Sequence, residues 1–596
     1  MTKKLVTAYV YDANLRIEAN RQDRNYWYEY IKEINEQLGL RAQDISVSSL
    51  EDSALLNDIG ILFIGDFALS DAMKSNLDDW VKQGGVLICF GTEGLDKIFG
   101  NICESVIPQP ESDYTISGYF SLNADELTTD IHSYLQPEQK LIIFSDIRGI
   151  APEESTEIAH LYGTDRSDTG FAAVTKRDYG NGHAYYFAFS VPQTIWVLHQ
   201  GIPVTYDRDG DGYYRTGDLI AIGDNNREVL YADEILFLIQ NMIAQKPQPM
   251  IYAIPPRGEQ IPDALFYWGG DDEAARGTQV WASNWMKEKG LPYHINIMQN
   301  KEGEFTVTPE EAEAIHANGH ECSLHYNFID NFDPLAFTEA DIQKQADAFY
   351  EAYRFRPICT VNHWCRWTGW TETAKWMHAA GGKADNSFIH HPLPPLNPAN
   401  RLGFVFGTCY PFYFYEDYRG GNAKIDFLEE PMSAYEVGYS ASDVTDLDVV
   451  HRSIDFAVKY HLVMDMFYHP VNVYHHPACR SAIEEVLRYI DSKGIIAVHR
   501  GNDGLWEWWD KRSRSRIEDV MIHEDGADEK VSISFTAHCE YQDGMIVKLP
   551  IKSADMDVSV TCDGENTGHK IRRDFGRDWL YVIVPEGAHK MLIHMT

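Results

Sequence analysis

Two carboxylates close an apolar run in Tyr267-Trp268-Gly269-Gly270-Asp271-Asp272. Adjacent loop residues need not face the same way, so one acid can bind a metal while the other takes a proton from water. The same pair can equally solvate a loop or cap the next helix. A second cluster, Gly319-His320-Glu321-Cys322-Ser323-Leu324-His325, again sits where a strand is predicted to end. Imidazole and carboxylate are donors suited to a divalent cation such as Zn²⁺. A third pattern, Asp207-Arg208-Asp209-Gly210-Asp211-Gly212 running on to Asp218, places oxygen ligands at positions 1, 3, 5 and 12 of a calcium loop with glycine at position 6. Asp218 is shorter than the usual glutamate, and flanking helices are not evident. An acidic turn without Ca²⁺ is the competing reading, favoured if the protein is cytosolic, where free calcium is scarce.

Elements must bring these residues together. Residues 61–64 (ILFI) and 86–90 (VLICF) are short apolar runs, as buried parallel strands should be. Between them Ser70 can cap a helix whose buried face is Met73, Leu77, Trp80 and Val81, and Gly84 can end it. Trp27, Ile31, Ile34 and Leu38 mark an earlier helix, and residues 180–189 read as a late hairpin or strand. This predicts an α/β domain with a parallel sheet over residues 1–250. The proline-rich stretch 247–262 reads as a linker.

A second α/β series follows over 255–522. Strands are predicted at 264–268, 293–298, 320–325, about 358–363, 465–469 and 495–499, with helices between them. Six or seven such repeats predict a (β/α) barrel, complete or incomplete, with its chemistry at the C-terminal ends of the strands. From 525 to 596 the pattern changes to short alternating strands with Gly/Asp-rich turns, predicting a small β-sandwich. The fold class expected is therefore multidomain α/β.

Composition narrows the partners. The 596 residues carry a formal net charge of −39, which repels nucleic acid and anionic membranes and suits a neutral or basic substrate. Nine cysteines without a CxxC pair read as reduced thiols. No secretory leader and no long apolar run is evident, so a cytoplasmic location is expected. Aromatics make up 13%, enough to supply sugar-stacking surfaces, although most rings will be core.

The two clusters around Asp271 and His325, in this order, resemble the first two motifs of the NodB-homology polysaccharide deacetylases, carbohydrate esterase family four. The resemblance implies that Asp271 is the catalytic base, that Asp272 and His325 bind a divalent metal, expected to be Zn²⁺, and that His320 is structural. Further stretches resemble later family motifs: Arg356-Pro357, where an arginine holds the base; Ala384-Asp385-Asn386-Ser387-Phe388; and Phe467-Tyr468-His469-Pro470, whose histidine protonates the leaving group. One departure is plain. The second metal histidine of the family falls on Ile329, which cannot bind metal. His363, in Val361-Asn362-His363-Trp364-Cys365-Arg366-Trp367, is the candidate substitute, with Asp330 second; a hydrogen-bonded core histidine is the alternative for His363. Arg366 can replace Arg356 beside the base. The pairs His390/His391 and His475/His476 are expected in loops near the mouth of the barrel.

The function this implies is metal-dependent removal of an acetyl group from a carbohydrate, the metal lowering the pKa of water and Asp271 taking its proton. Two alternatives remain: a glycosidase using paired carboxylates on the same barrel, and a catalytically silent sugar-binding scaffold. The first domain resembles class I glutamine-amidotransferase-like domains, on the passage Asp79-Trp80-Val81-Lys82-Gln83-Gly84-Gly85-Val86-Leu87. Cys89 lacks the glycine that precedes an active cysteine there and reads as a core residue. A non-catalytic domain, for homo-oligomerisation or for shaping the cleft, is the expectation.

Overall fold

The structure is a computed structural model that describes residues 2–133, 139–390, 397–442, 444–525 and 530–596. It is a mixed α/β, multidomain protein with several sheets, folded into two compact units that do not follow chain order. One gathers Met1–Val197, Tyr231–Ile261 and Lys511–Thr596; the other gathers Leu198–Leu230 and Pro262–Asp510. Among the described residues no helix is long and apolar enough to cross a membrane.

In the first unit, strands Gln43–Ser46, Val6–Tyr11, Ile59–Ile64, Val86–Phe90 and Gly182–Phe187 lie side by side in parallel. The last is one arm of a hairpin with Asp168–Tyr179, and antiparallel strands continue the sheet from there. The expected helix is Asp71–Lys82, with Ser70 Oγ accepting from Met73 N and the chain leaving through Gly84 at φ 112°. Trp27–Tyr30 forms a 3₁₀ turn ahead of Ile31–Gln37 rather than one continuous helix. Cys89 is buried in its strand, where burial pushes the thiol well above its ordinary range.

The C-terminal alternating strands form two antiparallel sheets, each of which recruits a strand from much earlier in the chain. Thr2–Lys4 pairs with Met521–His523, and Met250–Ile251 pairs with Val547–Lys548. Residues expected to belong to a linker thus form a strand, because Met250 and Ile251 are apolar enough to be wholly buried.

The second unit carries one nine-stranded sheet. Lys424–Glu429, Ala384–Asp385, Cys359–Asn362, Glu321–Tyr326, His294–Met298, Ala264–Asp271 and Val463–Phe467 run parallel in that order. Ala497–Arg500 pairs with the first half of Ala264–Asp271, and Phe412–Tyr415 is antiparallel at the edge. Of the two forms expected, the sheet does not close into a complete barrel: among the described residues, Lys424–Glu429 and Val463–Phe467 share no ladder, and the chain between them meets the latter at the isolated bridge Tyr435–Phe467. After Glu429 the chain passes through Pro431, which has no N–H to donate, and so leaves strand geometry before it reaches its neighbour.

Candidate metal centre

Strand Ala264–Asp271 is buried throughout. Tyr468 N donates to Gly269 O at 2.8 Å, and a Cβ on Gly270 would sit 2.1 Å from Tyr468 O. Only glycine permits that approach, which brings Asp271 beside the chain carrying His469. Beyond the strand the backbone turns through left-handed conformations at Glu273 (φ 51°) and Ala274 (φ 48°). Asp272 braces this turn. Its Oδ1 accepts from Ala274 N and Met298 N, each at 3.0 Å, and its Oδ2 accepts from Gln279 Nε2 at 3.3 Å. Burial raises its carboxyl to about 7.

The turn returns Glu273 to the strand ends. Glu273 Oε2 lies 3.3 Å from His363 Nε2, and Glu273 Oε1 lies 3.4 Å from His469 Nε2. His325, at the end of Glu321–Tyr326, directs Nδ1 to Val361 O at 3.1 Å and Nε2 toward Asp271 Oδ2 at 3.5 Å. Its ring is 5.2 Å from that of His363. Two overlapping groups result. Glu273, His325 and His363 each offer an atom within 4.8 Å of the others, as do Asp271, Glu273 and His469.

Burial of His325, helped by neighbouring His363, lowers its pKa to about 3, so the imidazole is neutral. With Nδ1–H committed to a carbonyl, Nε2 carries a lone pair and is a buried atom without a hydrogen-bond partner. That is the state of a metal-ligating histidine, whose other nitrogen is fixed by a hydrogen bond. One carboxylate and two imidazoles make a three-ligand set of the kind catalytic zinc uses, in which the fourth coordination position is left to water or substrate. The donor set therefore fits a divalent cation.

His469 is different in kind. Its Nδ1 lies 2.9 Å from Glu436 Oε1, which also accepts from Tyr439 Oη at 2.9 Å and from Asn472 Nδ2. Burial opposes protonation of His469, but Tyr435, Glu436 and Glu273 outweigh it and raise its pKa well above the ordinary value. Burial raises the carboxyl of Asp271, with His469 pulling the other way. Glu273 is lowered despite burial by its contacts with His363 and His469.

The structure thus brings Asp271, His325, His363 and His469 together and sets Asp272 apart: its oxygens hold the turn, and it belongs to neither ligand group. Arg356 is also away from the base. It precedes strand Cys359–Asn362, whereas the cluster lies beyond the strand's far end, and its guanidinium pairs with Asp347 at 3.0 Å on the surface. Arg366 is buried but gives its N–H groups to the carbonyls of Tyr214, Phe328 and Asp333, not to Asp271. His320 meets Ser283 O at 2.8 Å. Asp330 is paired with Asn327. Asp385 and Ser387 brace one another, and Ser387 Oγ accepts from Asn362 N beside His363. His390 is buried, His391 lies outside the described residues, and His475 and His476 stand at the junction of helices Pro470–His475 and Pro477–Lys493.

Sequence reasoning missed Glu273 and Glu436. Glu273 directly follows the two aspartates, and the signal available was a third acid in the same loop. Glu436 lies in an irregular segment at φ 47° with no motif around it. In the acidic loop, Asp207, Asp209 and Asp218 bring oxygens within 4.8 Å of one another, but Asp211 is taken by Arg215 at 2.7 Å. Asp218 accepts from the backbone N–H groups of Arg208 and Arg215, so the loop is closed by its own bonds.

No family model and no curated protein matches the sequence. Among solved structures, the β-galactosidase from Bacillus circulans sp. alkalophilus is 16% identical over 32% of this chain and 28% of its own, with a TM-score of 0.24. The α-L-fucosidase isoenzyme 2 from Paenibacillus thiaminolyticus is 14% identical over 44% of this chain and 40% of its own, with a TM-score of 0.26. The chain therefore spans less than half the length of either protein, at a similarity below that of a shared fold.

Proposed function

We propose that this protein is a metal-dependent hydrolase that removes an acyl group, in the first instance acetyl, from a carbohydrate. The observation that carries the reading is the convergence of Glu273, His325 and His363 on one point, with a neutral buried imidazole nitrogen left for a ligand. A divalent cation held there would supply Lewis acidity to a carbonyl and lower the pKa of water. Asp271 lies beside this group, able to accept a proton from water. His469, kept protonated by Glu436, is placed on the other side of Glu273 to protonate the leaving group. Support for a sugar comes from exposed rings on the elements that carry the site: Trp364 next to His363, Trp281 on the helix after Asp271 and Tyr474 on the helix after His469 are 48%, 38% and 41% exposed. Such faces stack on sugar rings. The motif order around Asp271, His325 and His469 adds the resemblance to polysaccharide deacetylases.

A glycosidase is the second reading, favoured by one observation. Asp271 and Glu273 are a close carboxylate pair, with oxygens within 4.8 Å of one another, and retaining glycosidases likewise use two nearby carboxyl groups, about 5 Å apart. The two separate in one experiment. Acetylated oligosaccharides are incubated with the protein before and after chelation, and acetate and new reducing ends are both measured. Acetate release abolished by chelation and restored by zinc is expected. Reducing ends formed regardless of chelator would give the site to the glycosidase reading, and neither product would leave a sugar-binding scaffold.

A further inference from the structure

His363 is not presented by a regular element. It follows strand Cys359–Asn362, and the next two residues, Trp364 (φ 54°) and Cys365 (φ 52°), are both left-handed, a conformation that L side chains rarely adopt. Something outside the turn must hold it. The segment Leu198–Leu230 does so, although it lies far back in the chain, because it folds into the same unit. Tyr214 O accepts from Arg366 Nε at 2.9 Å and from Trp367 N at 3.1 Å, and Val204 and Gly369 exchange backbone hydrogen bonds. These contacts fix the chain after the turn. On the turn itself, Arg215 Nε donates to Trp364 O at 2.7 Å, while its Nη1 is anchored by Asp211 Oδ2 at 2.7 Å. The guanidinium also sits 6.0 Å from the Trp364 ring, which Tyr213 meets edge-on.

We propose that Arg215 is a positioning residue: by gripping the carbonyl of left-handed Trp364 it holds His363 on Glu273 and His325. The inference rests on the reading of those three residues as a cation site. Asp211, the residue that departs from a calcium-ligand role, is the anchor of this clamp. Arg215 touches none of the candidate ligands, so its effect passes through the backbone of the turn.

The test measures zinc affinity of the full chain by competition with a chromophoric chelator, and backbone hydrogen exchange over residues 363–367 in metal-free protein. R215A is expected to bind zinc 10- to 100-fold more weakly, the range seen when a group behind a metal ligand is removed, and to exchange faster across the turn. Adding W364G to R215A should recover much of the affinity, because glycine takes the left-handed conformation without a clamp. Affinity and exchange in R215A equal to those of the unaltered protein would overturn the proposal, as would failure of W364G to recover binding. If R215A does not fold, D211N decides: weaker binding supports the clamp, and unchanged binding overturns it. If the unaltered protein binds no zinc, the cation reading fails by itself, and the exchange measurement still judges whether Arg215 holds the turn.

Discussion

Asp271 and His469 do separate work in this account, and substitutions should separate them. Asp271→Asn keeps the size of the side chain and removes the base, so turnover should fall about 10²- to 10⁴-fold with zinc affinity retained. Turnover within a factor of two of the original would remove Asp271 from the chemistry. His469 is held protonated above the ordinary histidine range by Tyr435, Glu436 and Glu273, against the effect of burial. An acid of this kind is active below its pKa and lost as pH rises through it. Glu436→Gln takes away one of the raising charges, so the alkaline limb of the kcat profile should move to lower pH while the acid limb stays. A limb that does not move would exclude His469 as the acid. At this scale much of the site was legible. His325, His363 and His469 end predicted strands and Asp271 follows one, where side chains of a parallel sheet converge. Glu273 faces the histidines where Asp272 was expected to, for a reason that no spacing encodes: two left-handed residues in a row, Glu273 and Ala274, reverse the loop, so that the buried second acid braces the turn and the third acid meets His363 and His469.

Strands Glu321–Tyr326 and His294–Met298 are tied at their opposite ends to the helix Asn502–Arg514. Glu321 accepts from Asp503 N and Gly504 N, each at 3.0 Å, which makes it an N-terminal cap supplied from a distant strand. It also holds His294 Nδ1 at 2.9 Å. Glu321→Ala should destabilise the second unit by about 1–2 kcal/mol, the usual cost of a lost cap, read as a shift in the urea midpoint. The same contact has a pH signature. Asp503 and Glu321, working against burial, raise His294 to about 9. A folded pKa above the unfolded value of roughly 6.5 contributes stability fully present below that pH and lost as pH rises through 9. The midpoint should therefore fall between pH 6.5 and 9.5, and Glu321→Gln should flatten the slope. An equally steep slope in that variant would place its origin elsewhere. The helices and strands around this network were legible because their buried faces repeat with the period of the element. Closure was not legible: whether Lys424–Glu429 reaches Val463–Phe467 depends on a run of irregular chain after Pro431 that carries no period.

The whole chain divides against its own order. Boundaries drawn at changes of composition, near 250 and 525, follow the pattern of each stretch, and the alternating strands after 525 are real. Which stretches join one another is a matter of long-range pairing, such as Arg512 donating to Tyr252 O and Glu36 O, and leaves no local trace. One consequence is testable. A fragment of residues 255–522 lacks Leu198–Leu230, and with it the Tyr214 carbonyl for Arg366 and the Thr216 hydroxyl bonded to Ser387 O. Arg366 keeps the carbonyls of Phe328 and Asp333 but loses the acceptor of its Nε, and one buried donor left unsatisfied costs about 1–3 kcal/mol, besides the packing lost with the segment. The fragment should not unfold cooperatively, whereas the full chain should; a cooperative transition in the fragment would show that the earlier segment is dispensable. The central claim, that Glu273, His325 and His363 hold a divalent cation, is tested most directly by zinc content after loading and dialysis of the full-length protein and single variants. One tightly held zinc per chain is predicted, lost in Glu273→Gln, His325→Ala and His363→Ala and kept in Asp272→Asn. Zinc retained without Glu273 and lost without the Asp272 carboxylate would contradict the account.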